Sequence, residues 1–333
     1  MKRILILSNP QSPGTDYYRT VGPFCRLEET NPTAVSIKIV PPDKISWYDI
    51  FSCDIFLIQR PNGNEIVGYI QEAKSMGKKI LIDMDDLLHG ISQSSPAYKH
   101  FNSPGIPESI DRCLTLADYI IFSTKALQDY YTNRLTAIIG KCSVVQNGFD
   151  PVIHAPQPIR KQSNPVRLMW RGSMSHLGDM QTIKHSLNKL ASTKKFDLAL
   201  VGMPPFLGYD MPPAKYIDWQ TLFTYFRLIR EAQPDYGFFP LEDIFFNHCK
   251  SNIFAIEMLM AGALPIVTKG FAEFNIPGVA RFESGRQFES IIEEAISGRL
   301  SREERIMEGR EFVIENFHID KMNYLRLEIV NSI

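Results

Sequence analysis

Residues 240–267 read PLEDIFFNHCKSNIFAIEMLMAGALPIV, and this stretch lies between two strand-like runs. Asn247, Lys250 and Glu257 follow one another at intervals of three and seven residues. At about 3.6 residues per turn, these intervals predict one helix that carries all three side chains on one face. Lys250 is then expected in the first turn, where the helix dipole disfavours a cation unless an anion is near. The first prediction is therefore a strand–helix–strand unit that binds an anion.

Short strand-like runs alternate with helix-length segments along the chain. Such alternation indicates parallel sheets in a doubly wound α/β fold. The predicted strands are Arg3–Leu7, Ser36–Val40, Ile55–Gln59, Lys79–Asp83, Tyr119–Ser123, Cys142–Gln146, Val166–Trp170, Phe196–Val201, Tyr236–Pro240 and Leu264–Thr268. The predicted helices are Tyr17–Glu29, Glu65–Met76, Pro107–Ala117, Lys125–Arg134, Met180–Ala191 and Gln220–Glu231, followed by three amphipathic segments that begin near Arg286, Arg302 and Asp320.

The chain of 333 residues exceeds the roughly 250 to 300 at which one core usually divides, so two domains are predicted. Residues 148–165 contain four prolines and no hydrophobic periodicity, which is typical of a linker. We predict a Rossmann-like domain at 1–150, a linker at 151–165 and a second Rossmann-like domain at 166–318. The last segment, 319–333, is predicted to be a helix that packs on either domain.

Composition excludes several classes of protein. Hydrophobic residues make up 44%, charged residues 22%, and the formal net charge is -1, so there is no electrostatic argument for nucleic acid or membrane. The five cysteines are odd in number and scattered, which favours neither a disulfide framework nor a zinc site. No segment approaches about 20 apolar residues. We predict a cytoplasmic protein without a transmembrane segment, with peripheral membrane association as an open alternative.

Ligands of open parallel sheets bind beyond the carboxyl ends of the strands, so the loops after strands are informative. After the first strand, residues 8–19 read SNPQSPGTDYYR. Gly14 allows the backbone to approach a ligand closely, and Arg19, next to Tyr18, has the chemistry to bind a phosphate or carboxylate. The three spaced glycines of a dinucleotide fingerprint are missing from this loop, which argues against a dehydrogenase.

Three carboxylates follow the fourth strand. Asp83, Asp85 and Asp86 repel one another unless they bind a cation, accept hydrogen bonds from hydroxyl groups or cap a turn. They suit a polyhydroxylated acceptor or a divalent metal, and His89, a few residues on, is a candidate base.

The strand Val166–Trp170 runs directly into Arg171, Gly172, Ser173 and, three residues later, His176. A guanidinium beside exposed backbone amides and hydroxyls is the chemistry of a phosphate cradle. Lys250 and Glu257 then offer a second positive charge for a diphosphate and an acceptor for ribose hydroxyls.

Four sequence segments together resemble a known family. They are ADYIIFSTKAL (117–127), VVQNGFD (144–150), RLMWRGSMSH (167–176) and the stretch from Pro240 to Glu257. In this order and spacing they resemble GT-B glycosyltransferases of the large retaining family typified by glycogen and sucrose synthases and bacterial mannosyltransferases. The PL…FN…KS…E form resembles a subgroup of small bacterial and phage enzymes.

The resemblance implies two Rossmann-like domains that face each other across a cleft. It implies metal-independent transfer of a sugar from a nucleoside-diphosphate sugar to an acceptor hydroxyl, with retention of configuration and no cofactor. It places Glu257 on the donor ribose and makes Arg171 and Lys250 balance the leaving diphosphate. Further donor contacts are expected from Gly14, Gly172, Ser173, His176, Leu241 and Asn247, acceptor contacts from Tyr18, Arg19, Asp85 and Asp86, and catalytic roles for Asp85 and His89.

The sequence departs from the family pattern at Cys249, where a first glutamate is usual. The acceptor stays open among glycans, lipid-linked compounds, proteins and nucleic acids. Two alternatives remain, namely a phage-type enzyme that glycosylates hydroxylated pyrimidines in DNA and a non-catalytic nucleotide-sugar-binding protein.

Overall fold

A computed structural model of the chain describes residues 1–8, 13–93, 95–193, 195–202 and 211–333, and for Pro13 and Met174 only the backbone. Residues 9–12 of the predicted loop 8–19 lie outside these ranges. The strands are β1 Lys2–Leu7, β2 Val35–Val40, β3 Ile55–Gln59, β4 Lys79–Met84, β5 Tyr119–Phe122, β6 Cys142–Val144, β7 Val166–Arg171, β8 Phe196–Val201, β9 Lys215–Ile217, β10 Tyr236–Phe239, β11 Leu264–Thr268 and β12 Ala280–Phe282. The α-helices are α1 Pro13–Asp16, α2 Gly22–Thr30, α3 Trp47–Ser52, α4 Asn64–Ser75, α5 Tyr98–Phe101, α6 Ile106–Leu116, α7 Lys125–Arg134, α8 Leu177–Gln181, α9 Lys184–Ala191, α10 Leu222–Ala232, α11 Phe245–His248, α12 Ile253–Ala261, α13 Gly285–Ile296, α14 Arg302–Phe317 and α15 Ile319–Ser332.

The strands form two six-stranded sheets in which every pair is parallel. The first has the order β2-β1-β3-β4-β5-β6 and the second β12-β11-β10-β7-β8-β9. The second order is that of a dinucleotide-binding Rossmann sheet. Strand order reverses between β1 and β3 in the first sheet and between β7 and β10 in the second, and a ligand crevice is expected at these two points. The doubly wound α/β fold predicted from the sequence is confirmed.

The second sheet has six strands, not the four that the sequence pattern shows. The two additional strands, β9 and β12, are three residues long and lie at the two edges of the sheet. A three-residue edge strand is too short to produce a clear alternation of apolar and polar residues. The predicted helix Met180–Ala191 is also divided, into α8 and α9.

The predicted helix Tyr17–Glu29 is interrupted by a turn of π-helix. Tyr17–Val21 forms this turn between α1 and α2. A Cβ atom on Gly22 would lie 2.8 Å from the carbonyl oxygen and from the ring of Tyr17, so only glycine fits where the wider turn ends. π-turns often occur at functional sites, and this one sets the direction of Tyr17 and Tyr18.

The polypeptide passes between the two sheets twice, at adjacent places. Phe149 forms an isolated parallel bridge with His318, in which the amide of Ile319 donates to the carbonyl of Phe149 at 2.9 Å. A Cβ atom on Gly148 would lie 3.0 Å from the Cα atom of Ile319, so the glycine allows this close approach. After the second crossing, α15 packs against α2 and contributes Met322, Ile329 and Val330 to the core beneath the first sheet.

The prediction that a single helix carries Asn247, Lys250 and Glu257 is wrong. The segment forms α11 and α12, and Lys250 lies in the non-helical connection between them. The connection is held by the other half of the molecule, because the Thr124 hydroxyl donates to the Cys249 carbonyl at 3.3 Å. Phe246 and Cys249 are buried in the core that β3, β4 and α7 build.

Arg19 is completely buried, which corrects the prediction that it contacts an acceptor. Its Nε donates to Asp83 Oδ1 at 2.8 Å and its Nη2 to Asp83 Oδ2 at 2.9 Å, while Nη1 donates to the Val145 carbonyl and to Asn147 Oδ1. The guanidinium therefore joins the ends of β4 and β6 within the first core. Sequence alone could not show this, because Asp83 is 64 residues away.

A second arginine, Arg326 of α15, is buried near this pair without an equivalent partner. Among the described residues, its Nε and Nη2 have no hydrogen-bond acceptor. Burial, and then the charge of Arg19, lower the pKa of Arg326 to about 9. Two cations thus share the single carboxylate of Asp83.

Replacing Arg326 with methionine is expected to raise the free energy of unfolding by about 1 to 2 kcal/mol, because apolar residues often replace poorly paired buried charges favourably. Urea unfolding measures this. Arg19→Met is the contrasting variant, and it should lower the same quantity because it leaves Asp83 without its partner. A loss of stability in Arg326→Met as large as that in Arg19→Met would refute this account of the cluster.

Candidate functional site

A cavity of about 310 Å³ lies where the two sheets face each other. The loops after β1, β3, β4, β7 and β10 line it, so it lies at both points of reversed strand order. Most of the residues predicted for the site do line it, namely Gly14, Tyr18, Asp85, Asp86, Arg171, Gly172, Ser173, His176, Lys250 and Glu257. The fold therefore brings together loops that are far apart in sequence.

Glu257 is the centre of one side of the cavity. It lies on α12, whose other residues are all uncharged, and its side chain is only 2% exposed. Tyr18 donates its hydroxyl to Oε1 at 2.7 Å, while Arg171 Nε and the Tyr225 hydroxyl both donate to Oε2 at 2.8 Å. Burial, and then the charge of Glu257, raise the pKa of Tyr225 well above its usual value, which keeps this donor protonated.

The Tyr18 hydroxyl also connects Glu257 to the linker through His154. The amide of Asp150 donates to His154 Nδ1 at 3.0 Å, so the proton of the neutral ring is on Nε2. Nε2 lies 3.1 Å from the Tyr18 hydroxyl, and the two rings are stacked. Burial lowers the pKa of His154 to about 3. The result is a chain of donors from the linker imidazole through Tyr18 to the Glu257 carboxylate.

This chain predicts a dependence of stability on pH. An unfolded histidine titrates near pH 6.5 and folded His154 near 3, so only the unfolded chain takes up this proton between those values. The contribution of His154 is complete above pH 6.5 and decreases as pH falls, by about 2 kcal/mol at pH 5. Urea unfolding measures the free energy of unfolding at pH 7 and at pH 5. The decrease between these two pH values should be smaller for His154→Gln than for the unchanged protein. Equal decreases would contradict the assignment.

The other side of the cavity is a cluster of alternating charges. Arg60 donates from Nε to Asp85 Oδ1 at 2.5 Å and from Nη2 to Asp85 Oδ2 at 2.7 Å, and it lies 3.5 Å from Asp86. Lys250 Nζ lies 3.3 Å from Asp86 Oδ1 and 4.0 Å from the centre of the Phe246 ring. Burial raises the pKa of Asp86, but Lys250 and Arg60 outweigh it, so the net pKa is lowered.

The loop after β7 is shaped by His176 and Asp179. His176 Nδ1 lies 2.7 Å from Asp179 Oδ2. Burial lowers the pKa of His176, and the charges of Lys250 and Arg171 lower it further against the effect of Asp179. His176 is therefore a neutral hydrogen-bonding group and not a third cation. A Cβ atom on Gly172 would lie 2.6 Å from the Trp170 ring, so the loop needs glycine there.

Three further predicted site residues lie outside the lining of the cavity. His89 lies 3.2 Å from both the Tyr131 hydroxyl and Asp111, beside α6 and α7, which argues against its role as a base at this site. Asn247 is buried. It donates to Asp179 Oδ1 at 2.6 Å and to the Glu242 carbonyl at 3.0 Å, and it thereby links the segments that contain these two residues. Leu241 packs in the core of the second sheet.

The cavity is also lined by four residues that were not predicted from the sequence, namely Arg60, Asn147, Trp219 and Tyr225. Arg60 directly follows the third predicted strand, and the rule that favours residues after strands could have identified it. Its φ angle is 45°, an uncommon conformation for a residue other than glycine that often occurs at functional sites. No local pattern distinguishes Tyr225 from other aromatic residues of an amphipathic helix.

Within the described ranges, no group of three or more histidine, cysteine, aspartate or glutamate side chains is arranged to hold a metal ion. In the same ranges, none of the helices combines the length and the apolar character that crossing a membrane requires.

No protein-family model and no curated protein sequence matches the chain. Several solved structures do. The structure of Alr3699/HepE from Anabaena in complex with UDP-glucose matches with a TM-score of 0.67 over 100% of both chains at 11% identity. An α-glucosyltransferase in complex with UDP and a 13-mer DNA containing an HMU base matches with a TM-score of 0.65 over 99% of both chains at 13% identity.

A putative UDP-N-acetylglucosamine 2-epimerase from Listeria monocytogenes matches with a TM-score of 0.58 over 99% of this chain and 96% of its own, at 11% identity. At such low identities, the likeness shows a shared fold. The chain has the GT-B fold, as its sequence motifs predict.

Proposed function

We propose that this GT-B protein transfers a sugar from a nucleoside-diphosphate sugar to an acceptor hydroxyl, with retention of configuration. The observation that carries the proposal is the pairing of Arg171 and Lys250 in one cavity, each held by one carboxylate. Both side chains line the same cavity as Gly172, Ser173 and His176 of the loop after β7, so a diphosphate bound at that loop would lie beside both cations. The likeness to structures solved with UDP and UDP-glucose makes UDP-glucose the first donor to test.

The proposed donor site contains the groups that a diphosphate and a ribose require. Anions bind well where backbone amides and a helix amino terminus converge, and Gly172, Ser173 and Ser251, two residues before α12, line the cavity. Carboxylate oxygens accept up to two hydrogen bonds each. Glu257 Oε1 accepts one from Tyr18, so it can accept a second from a ribose hydroxyl.

Donor binding is then an exchange of ionic partners. Lys250 turns from Asp86 to the diphosphate, and Asp86 is released to accept a hydrogen bond from the acceptor hydroxyl. Because its pKa is lowered, Asp86 orients the hydroxyl and does not take its proton. The acceptor oxygen forms the bond to the anomeric carbon, the bond to the diphosphate breaks, and the proton passes to the departing phosphate oxygen.

In this proposal, the donor and the acceptor bind to different sheets. We assign the donor to residues 166–318 and the acceptor to residues 1–150, with the linker 151–165 and the last helix, 319–333, joining them. A metal is not part of the proposal, since Arg171 and Lys250 supply the positive charge. The proposal includes a cytoplasmic location. All five cysteines are free, which is typical of proteins in a reducing compartment.

Thermal unfolding with UDP, GDP, ADP and UDP-glucose tests donor binding. A ligand at about 100 times its Kd stabilises the protein by about 2.7 kcal/mol, and we expect this from one nucleotide, with EDTA present and absent. Release of the nucleoside diphosphate from the nucleotide sugar must then increase when an acceptor is added. This increase distinguishes transfer from epimerisation and from binding alone. A protein that responds to none of these ligands does not have the proposed function.

A second candidate is transfer to hydroxylated bases in DNA, which the likeness to a DNA-bound α-glucosyltransferase favours. The formal net charge of -1 provides little attraction to phosphates. Binding to duplex DNA that weakens steeply with salt would support this candidate.

A further inference from the structure

A second, larger cavity opens from the proposed donor site. Its volume is about 660 Å³, which is within the range of about 300 to 1,000 Å³ that holds drug-sized ligands. The two cavities share one end, lined by Arg60, Asp86, Ser173, Gly202 and Trp219. Asp86, the group that we assign to the acceptor hydroxyl, thus faces both spaces.

The remaining walls of the second cavity are mainly apolar. They consist of Leu88, Ile91, Pro96, Ala97, Phe101 and Phe246, with Ser95, Ser175 and Asp218 as the polar residues. Each of the two serine hydroxyls already has one partner, because Ser175 Oγ lies 2.6 Å from Ser173 Oγ and Ser95 Oγ accepts from the amide of Ala97 at 3.3 Å. Among the described residues away from the shared end, the polar side chains that line the cavity are therefore limited to these two serines and Asp218.

This lining argues against a sugar as the body of the occupant. A sugar presents hydroxyls on all its edges, and each buried hydroxyl without a partner costs about 1 to 3 kcal/mol. An aromatic ring has no such requirement, and it packs well on other rings. Phe101 and Phe246 supply two rings from the walls, and Trp219, which is 66% exposed, supplies an indole at the shared end.

We propose that this cavity binds the acceptor as an alcohol on a planar aromatic or heteroaromatic ring, with the ring between the apolar walls and the hydroxyl at Asp86. This inference rests on the proposed function. The bonds formed and broken are those given above, and the departing diphosphate leaves with the electron pair of its bond to the sugar. The ring can belong to a small molecule or to an exposed base of a nucleic acid, which has the same chemistry.

The test compares acceptors by the rate at which the nucleoside diphosphate is released from a donor. The donor used is the one that raises the unfolding temperature of the protein most. Benzyl alcohol is compared with cyclohexylmethanol, which has the same reach without a planar ring, and with methyl glucoside. We expect benzyl alcohol to raise the rate about tenfold more than either, a difference of about 1.4 kcal/mol. A rate that rises most with methyl glucoside or cyclohexylmethanol would overturn the inference, whereas failure to bind any nucleotide would overturn the proposed function instead.

A second pair of probes separates the two sources of the ring. The nucleoside 5-hydroxymethyl-2′-deoxyuridine is offered free and within an oligonucleotide. Faster transfer to the oligonucleotide, with a steep decrease in salt, would identify a nucleic-acid acceptor. Equal or faster transfer to the free nucleoside would identify a small acceptor. If neither probe raises the rate above that with methyl glucoside, the aromatic class is wrong.

Variants test the cavity itself. Ala97→Phe fills it, and the ratio of acceptor-dependent to acceptor-independent release should fall about tenfold. Trp219→Ala, at an exposed position where folding is not at risk, should raise KM for benzyl alcohol about threefold to tenfold through loss of ring contact. Trp47→Ala is the matched control, because Trp47 is 55% exposed and outside both cavities. If Trp219→Ala and Trp47→Ala have the same KM, the cavity does not bind the acceptor.

Discussion

Replacing Lys250 with alanine is expected to lower kcat/KM for the donor by about 10²- to 10³-fold, because a preorganised positive charge at the departing group is worth about 2.7 to 4 kcal/mol. The ammonium group is held 3.3 Å from Asp86, and it needs only to exchange this carboxylate for the diphosphate. Its side chain is 17% exposed, so its charge acts largely without screening by water. The steady-state rate of nucleoside diphosphate release, measured over a range of donor concentrations, gives the decrease in kcat/KM.

The fold should survive this change. Asp86 keeps Arg60 at 3.5 Å, so no buried carboxylate is left alone. Lys269→Ala is the matched control, since Lys269 pairs with Glu283 on the exposed surface of the same half of the molecule and should retain full activity. Full activity of Lys250→Ala, or equal losses in both variants, would contradict the diphosphate role.

Replacing Glu257 with leucine is expected to lower the free energy of unfolding by about 3 kcal/mol, the lower end of the range for a broken buried ion pair, because it leaves Arg171, whose side chain is 22% exposed, without its counter-charge. Arg171, Tyr18 and Tyr225 all donate to this carboxylate, and three donors would lose their acceptor at once. Nucleotide binding should be lost as well, since the ribose acceptor is removed. Urea unfolding and nucleotide titration measure the two effects.

A double variant separates charge from packing. In Arg171→Met with Glu257→Leu, the unpaired charge is gone, so the double variant should be more stable than Glu257→Leu alone. Glu283→Leu is the surface control and should change stability by less than about 1 kcal/mol. A double variant that is less stable than Glu257→Leu would show that Arg171 has other essential partners.

The local pattern of apolar residues was sufficient to predict ten of the twelve described strands and the loops that line the cavity, whereas the three-residue strands β9 and β12 gave no clear pattern. It failed where a contact distant in sequence decides the structure. Thr124 and the first core hold Cys249, so the expected helix from Asn247 to Glu257 is divided. Arg19 has the sequence context of a ligand-binding residue, but Asp83 holds it in the core. Position 249 lacks the glutamate that is usual in the family that the sequence resembles, and the Cys249 side chain packs in the core of the other half of the molecule.

Among the candidate site residues, Arg171 was identified because it directly follows a predicted strand, and Glu257 because it lies in a predicted helix with a recognisable motif. Lys250 was identified from its spacing to Glu257, although it lies in the connection between α11 and α12. Arg60 was missed although it also directly follows a predicted strand, and its pairing with Asp85 and Asp86 shows its place in the site.

The return of α15 to the first sheet determines the order in which the chain can complete its cores. Asn323 of α15 donates to the Pro23 carbonyl, 300 residues earlier in sequence. At about 5 to 20 residues per second, a ribosome synthesises α15 roughly 15 to 60 s after the helix that it covers. By the end of that interval all strands of the second sheet have been synthesised, while the first sheet still has an apolar surface open. The half of the protein that is made first is therefore the last to be finished.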